Sequence, residues 1–250
     1  MDNAVEIRSR PNWPPGWRAT IGLIFPWAFS GNTYEHSLIL PEGVGIISVP
    51  LDLKELTVEA LKAIGKEAIE MSKRLSIADA IGFTCTAASF IAGVEYDREI
   101  IAGIEKATGK PATTTATAVA EGLKALGAKR MILVSPYTKD ITDIEVKYFA
   151  DRGFETVYHE SLSYVDSSET LRPLAETYKF AMQVYRHAPP ADVMLITSGG
   201  LPSAEIIDPL EEATGMPVIS SNTCLIRECL KLAKIHEPIQ GYGRLLEMER

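Results

Sequence analysis

Ile81-Gly82-Phe83-Thr84-Cys85-Thr86-Ala87-Ala88-Ser89-Phe90 is the stretch on which the fold turns. The apolar run from Ala78 to Phe83 is short and reads as a buried strand. It empties into small and hydroxyl residues around one cysteine, and a helical pattern then begins. A side chain at a strand's carboxyl end, ahead of a helix, sits where open α/β sheets place their ligands. Backbone N–H groups and the dipole at a helix start favour anions and lower a cysteine's pKa, so the sequence predicts an activated Cys85. The plainer alternative is a packing thiol, since free cysteine is among the most buried residue types.

On both sides of this stretch the chain alternates. Apolar runs at Thr20–Pro26, Gly43–Pro50, Arg130–Ser135, Phe154–His159, Ala191–Thr197 and Val218–Ile219 read as strands. Helical spacing marks Thr57–Leu75, Tyr96–Thr108, Lys139–Asp151, Ser168–His187, Ser203–Thr214 and Asn222–Lys234. Thr113–Gly127 begins hydroxyl-rich and becomes a helix, while Trp27–Glu35 reads as a loop. Such alternation implies mainly parallel sheet covered on both faces. There is also an internal echo. Ala78–Ser89 and Asp192–Ser203 share one plan of apolar strand, hydroxyl-rich elbow and helix, each followed by Gly-x-Pro at Gly109–Pro111 and Gly215–Pro217. The expected fold is therefore α/β, with two pseudo-symmetric Rossmann-like βα halves whose parallel sheets face a central cleft. The expected boundaries are an irregular arm at 1–18, a first half at 19–112 plus 220–250, and a second half at 113–219.

Composition narrows the function. The 250 residues are 46% hydrophobic and 23% charged, ordinary values for a globular protein. A net charge of −8 argues against nucleic acid or an anionic membrane as partner. No apolar run reaches the length of a membrane span. Cys85, Cys224 and Cys229 form no disulfide framework, which suggests a reducing, cytoplasmic setting. The polar start, with Trp13 and Trp17, lacks the pattern of a signal peptide; its tryptophans are available to pack on the domain or on a second subunit of a homo-oligomer. His36, His159, His187 and His236 show no metal-ligand spacing, so no metal is expected. Dinucleotide, phosphate-loop and Gly-x-Ser-x-Gly motifs are absent from the sequence, and no cofactor is expected.

Two opposed elbows suit an enzyme that handles both faces of a planar carbon intermediate. A thiol on one side can donate or remove a proton. Thr84, Thr86, Tyr137, Ser198 and the Gly199 and Gly200 amides could hold a carboxylate or an enediolate. Ser198, a much weaker acid than a thiol, reads as a hydrogen-bond donor. Asn32 reads either as a carboxylate ligand or as a turn residue after Gly31. Cys224, at the start of the last helix, reads as packing or as a displaced second thiol, and Cys229 as core. Trp27, Phe29, Tyr34 and Tyr164 are the expected pocket walls.

Four segments taken together carry a resemblance. Thr84-Cys85-Thr86-Ala87-Ala88-Ser89-Phe90, Thr197-Ser198-Gly199-Gly200-Leu201, Pro217-Val218-Ile219-Ser220-Ser221-Asn222 and Gly241-Tyr242-Gly243-Arg244-Leu245 resemble the aspartate/glutamate racemase superfamily. Within it the chain is most similar to the arylmalonate decarboxylase and maleate cis–trans isomerase branch, from about Ile21 to Leu245. The resemblance implies cofactor-free carbon-acid chemistry on a small carboxylate or dicarboxylate. In that superfamily paired cysteines flank the substrate. The isomerase uses the first as nucleophile and the second as proton donor; the decarboxylase keeps only the second, with glycine at the first. This chain departs from both, with Cys85 at the first elbow and Ser198 at the second. By resemblance, Cys85 and Ser198 are the catalytic pair, and Asn32, Thr86, Tyr137, Gly199, Gly200 and Asn222 bind substrate. Ala87 stands where the decarboxylase has a serine. A racemase with a non-cysteine partner, or a carboxylate-binding protein that lost its second thiol, are the alternatives.

Overall fold

The computed structural model describes residues 16–28, 33–164 and 173–249. In chain order the first part runs β1 (Ala19–Phe25), α1 (Tyr34–Ile39), β2 (Val44–Pro50), α2 (Val58–Ser72), β3 (Ala80–Phe83), α3 (Thr86–Phe90), α4 (Val94–Thr108), β4 (Ala112–Thr114) and α5 (Thr115–Ala125). The rest runs β5 (Arg130–Tyr137), α6 (Lys139–Asp151), β6 (Glu155–Tyr164), α7 (Leu174–His187), β7 (Val193–Ile196), α8 (Ile207–Thr214), β8 (Val218–Ser220), α9 (Ser221–Leu232) and α10 (Arg244–Glu247). The strands form two four-stranded sheets, ordered β2-β1-β3-β4 and β6-β5-β7-β8. Every pairing is parallel. The two orders are the same when the second sheet is renumbered from its own first strand, which is the echo seen in the sequence.

Alternation along the strands decides what the second sheet covers. Met131 and Leu133 of β5, with Val193 and Leu195 of β7, join the large core that also holds β1, β3, α5 and α9. Their neighbours Ile132, Val134, Met194 and Ile196 face a smaller core beneath α7 and α8. A period of two thus buries both faces of the sheet. The two halves share one hydrophobic interior, because α9 follows the last strand of the second sheet yet packs on β3, β4 and α5 of the first part. Helix starts are fixed locally. Thr57 Oγ1 accepts from Ala60 N at 3.2 Å, and Ser220 and Thr223 form a reciprocal capping box. Gly109, in the left-handed region at φ 70°, ends α4.

Three elements are absent from the sequence reading, and β6 runs on to Tyr164, past the expected end at His159. The end of the expected 27–35 loop is the start of α1, whose six residues are too few to display a period. Likewise β4 is only three residues, compressed between Pro111 and α5. The third, α10, is a single turn in a tail the periodicity left unassigned. The expected start of the helix at Ser168 lies outside the described residues; α7 begins directly after Pro173, which supplies its first-turn boundary.

Candidate active site

In each sheet the crossover between the two central strands leaves a crevice at their carboxyl ends. The residues following those four strands meet in one small pocket. Phe25, Pro26 and Trp27 come from the end of β1, and Thr84, Cys85, Thr86 and Ala87 from the end of β3. Tyr137 ends β5, and Ser198, Gly199 and Gly200 follow β7; Leu56 closes the rim ahead of α2. Among the described residues, no lysine, arginine, histidine or carboxylate lines this pocket. One side is therefore apolar, built of Phe25, Pro26, Trp27 and Leu56, and the other presents neutral hydrogen-bonding groups.

The first elbow holds its thiol tightly. Cys85 is the N-cap of the five-residue α3, its carbonyl accepts from Ser89 N at 3.1 Å and Ser89 Oγ at 3.0 Å, and only 4% of its surface is exposed. Burial pushes the thiol up to about 12, and the Ala88 N–H opposes this only in part. The activated thiol expected from a helix start is thus corrected: a single-turn helix cannot offset the desolvation of a thiolate. Cys85 is a neutral S–H at physiological pH.

The second elbow is strained. Ser198 has φ 89°, a conformation that costs a non-glycine residue roughly 1–3 kcal/mol. Its N–H donates to Ser221 Oγ at 3.1 Å, and Gly200 N donates to Ser198 Oγ at 3.3 Å. Thr86 Oγ1 donates to that same Ser221 Oγ at 3.1 Å, so Ser221 ties the two elbows together. They also touch through backbone: a Cβ on Gly199 would lie 2.7 Å from the Thr84 carbonyl oxygen. Only glycine allows that approach. The Tyr137 side chain lines the same pocket as Ser198 and Thr86, whose hydroxyls oppose the rise that burial gives its pKa. Burial first, then the nearby Glu145 and Cys85, hold this phenol well above its ordinary range, so it stays a neutral donor.

Of the residues singled out in the sequence, Cys85, Thr86, Tyr137, Ser198, Gly199 and Gly200 line the one cavity, and Thr84 and Trp27 join them. Asn32 and Phe29 lie outside the described residues. Asn222 stands behind the elbow, where its Nδ2 donates to Gly199 O at 3.2 Å. Tyr34 is 59% exposed on α1, and Tyr164 is buried at the end of β6, so neither lines the cavity. Cys224 packs against Gly122 of α5 and Cys229 against Gly82 of β3; neither thiol reaches the cavity, so a displaced second thiol is ruled out for Cys224. Ser221 was missed, although Ser220-Ser221-Asn222 stood out as a motif. Glu35, which stands out in sequence only as the residue following Asn32-Thr33 in an isomerase-like pattern, accepts hydrogen bonds from the segment after the second elbow, and Glu145, behind Tyr137, carried no local signal. Among the described residues no three of His, Cys, Asp and Glu come together as a metal-binding group, and no helix is long and apolar enough to cross a membrane.

Known proteins share this fold. The family model described as arylmalonate decarboxylase matches residues 21–246. Arylmalonate decarboxylase of Bordetella bronchiseptica is 28% identical over 232 residues, covering 91% of this chain and 96% of its own. Maleate isomerase of Pseudomonas putida is 26% identical, covering 83% of this chain and 86% of its own. Among solved structures, a liganded double mutant of arylmalonate decarboxylase, with one glycine replaced by cysteine and one cysteine by serine, superposes with a TM-score of 0.84. It is 27% identical and covers 91% of this chain and 98% of its own. The chain belongs to the arylmalonate decarboxylase family, in the decarboxylase and maleate isomerase branch of the aspartate/glutamate racemase superfamily, and is an enzyme of the decarboxylase or isomerase type.

Proposed function

We propose that the protein is a cofactor-independent decarboxylase of malonate-type diacids bearing an apolar substituent, with Cys85 as the proton donor. The observation that carries this reading is a buried Cys85 thiol set opposite the Tyr137 and Ser198 hydroxyls in a pocket with one apolar wall, with burial raising the thiol's pKa. The substituent packs on Phe25, Pro26, Trp27 and Leu56. The carboxylate that stays is held by the Tyr137 and Ser198 hydroxyls, Thr86 and the Gly199–Gly200 backbone. The bond to the other carboxylate breaks, carbon dioxide leaves, and the electron pair passes into the retained carboxylate as an enediolate. Donors fixed before the reaction stabilise that growing charge. The Cys85 S–H then breaks as the new C–H forms, and the thiolate regains its proton from water. A thiol that is reluctant to ionise suits this acid role and weighs against a thiolate nucleophile of an isomerase. Racemisation needs a base on each face, and Ser198 is a poor one. The cysteine-and-serine pair of the liganded double mutant is the pair of residue types this chain carries naturally.

A test uses methyl(phenyl)malonate in heavy water. The expected product is 2-phenylpropionate carrying one deuterium at the α-carbon, as a single enantiomer, because Cys85 delivers from one face. Its configuration should be opposite to that made by an enzyme with its thiol on the second elbow. Cys85→Ala should lower kcat by about 10²–10⁴-fold. A racemic product, or turnover untouched by Cys85→Ala, rejects the assignment.

A further inference from the structure

Behind the wall that carries Tyr137 and Ser198 lies a carboxyl group that the chemistry above does not use. Glu145, on α6, is completely buried. Thr197 Oγ1 lies 3.4 Å from its Oε2, and Ser135 Oγ lies 3.5 Å from the same atom. Its Oε1 has no hydrogen-bond partner among the described residues. No lysine or arginine pairs with it there, whereas Asp97, the other fully buried carboxylate, reaches Arg152. Two long contacts from hydroxyls and no cation are poor compensation for a buried charge.

The positions of its two partners give this carboxyl its meaning. Ser135 Oγ accepts from Tyr137 N at 3.3 Å, and also lies 3.0 Å from Thr142 Oγ1. Thr197 immediately precedes the strained Ser198, and its hydroxyl also donates to Val134 O at 3.4 Å. One side chain thus touches the ends of both central strands of the second sheet, one residue from Ser198 and two from Tyr137.

We propose that Glu145 is a positioning residue of the active site: held neutral, it braces the ends of β5 and β7 that present Tyr137 and Ser198, and its ionisation turns the site against anions. The inference rests on the decarboxylase reading for what those donors hold. Burial pushes the Glu145 carboxyl up to about 8, with the Thr197 and Ser135 hydroxyls opposing. The titratable groups facing this region are few. Tyr137 on β5 and Cys85 at the head of α3 both titrate far above that range, so between pH 7 and 9 they do not change charge. Tyr148, on the next turn of α6, is raised out of the range by burial and bonds Asp97 and Arg152 instead. Glu155, His159 and Glu160 on β6 are exposed or half-buried; Glu160 is bound to Tyr158, Gln183 and His187. Glu145 is then the group at the site whose charge changes in mildly alkaline solution.

The test compares wild type with Glu145→Gln and Glu145→Leu, using phenylacetate as an unreactive probe and phenylmalonate as substrate. Calorimetric affinity of wild type for phenylacetate should weaken about tenfold between pH 7 and 9, a change of about 1.4 kcal/mol. Glu145→Gln, which mimics the neutral acid, should bind with no such alkaline loss. Glu145→Leu, of similar volume, should lower kcat for phenylmalonate more than it changes KM, because the brace is gone. A readout free of ligand runs beside these. A carboxyl raised in the folded state contributes stability below its unfolded value of about 4.3, and that contribution is lost as pH rises toward about 8. The Tm of Glu145→Gln relative to wild type should therefore climb by at least about 3 °C from pH 5 to 8 and then level. Glu35, Asp97 and Glu211, also raised by burial, cancel in that difference. An alkaline loss of affinity that persists in Glu145→Gln, or a flat Tm difference, overturns the inference. If wild type neither binds phenylacetate nor turns over phenylmalonate at any pH, the decarboxylase reading fails, and the inference on Glu145 is decided by the Tm difference alone.

Discussion

At the scale of single residues, the state of Cys85 separates one chemistry from another. A buried thiol at about 12 is protonated throughout the physiological range. Its alkylation by iodoacetamide should be slower at pH 7 than that of an exposed thiol near 8.5, since only the thiolate reacts. The rate should keep rising about tenfold per pH unit through pH 9, where an unperturbed thiol has begun to level. Site-resolved mass spectrometry of the alkylated protein reads this directly, with Cys224, equally buried and also near 12, as an internal control. A plateau for Cys85 below pH 7 would instead mark a thiolate and restore the nucleophilic isomerase route. The position of Cys85 could be read from strand, elbow and helix in the sequence. Its protonation state could not, because that depends on burial by the second half of the chain.

At the scale of elements, the short helix α1 makes a contact across the molecule that local spacing does not reveal. Its Glu35 carboxylate accepts from Ala204 N at 2.7 Å, Ser203 Oγ at 2.9 Å and Ser203 N at 3.2 Å. These donors follow the second elbow, where Ala204 opens a turn of 3₁₀ helix. A carboxylate from the first half thus fastens the segment behind Ser198–Gly200 of the second. Glu35→Ala would orphan two backbone N–H groups, at a cost of about 1–3 kcal/mol each if they stay buried. We expect Tm to fall by at least about 3 °C, and KM for the substrate to rise more than kcat falls, because the elbow loses its anchor. An unchanged KM would place the tether outside substrate binding. The long helices with a clear 3.6 period, such as α2 and α6, were legible from spacing, and β5 from its unbroken apolar run. The short β4 and α1 were not: a period needs more than one repeat to be seen, and neither forms the continuous apolar run that marks the equally short β3, β7 and β8. The site divides the same way: the two elbows were visible as motifs, while Glu35, Glu145 and Ser221 depend on contacts between residues far apart in the chain.

At the scale of the whole molecule, the cleft keeps its shape only if the helices around it are locked to one another. Asp97 on α4, fully buried, is the centre of that lock. Thr114 Oγ1 donates to it, Thr117 Oγ1 donates at 2.5 Å and Tyr148 Oη at 2.7 Å, while Arg152 Nη1 approaches at 3.4 Å. Arg152 follows α6, donates to Thr117 Oγ1 at 3.0 Å and lies over the Tyr148 ring, 5.4 Å from its centre. Tyr148 in turn packs on Phe90 of α3, whose ring meets Tyr137 edge-on with centroids 5.9 Å apart. A chain of contacts therefore runs from a buried ion pair between the halves to a donor in the active site. Breaking a buried pair costs about 3–5 kcal/mol when one partner is removed. Arg152 keeps 13% of its side chain exposed, so solvent can partly replace it. We expect Arg152→Ala to cost about 2–3 kcal/mol and lower Tm by about 4–12 °C. Pairing it with Asp97→Asn should recover part of that loss, since the uncompensated charge is then gone and the hydroxyl contacts can remain. Thermal unfolding of the two single variants and the double variant measures the coupling. Strict additivity would mean that Asp97 and Arg152 act independently, and that the hydroxyls alone hold α4, α5 and α6 in place.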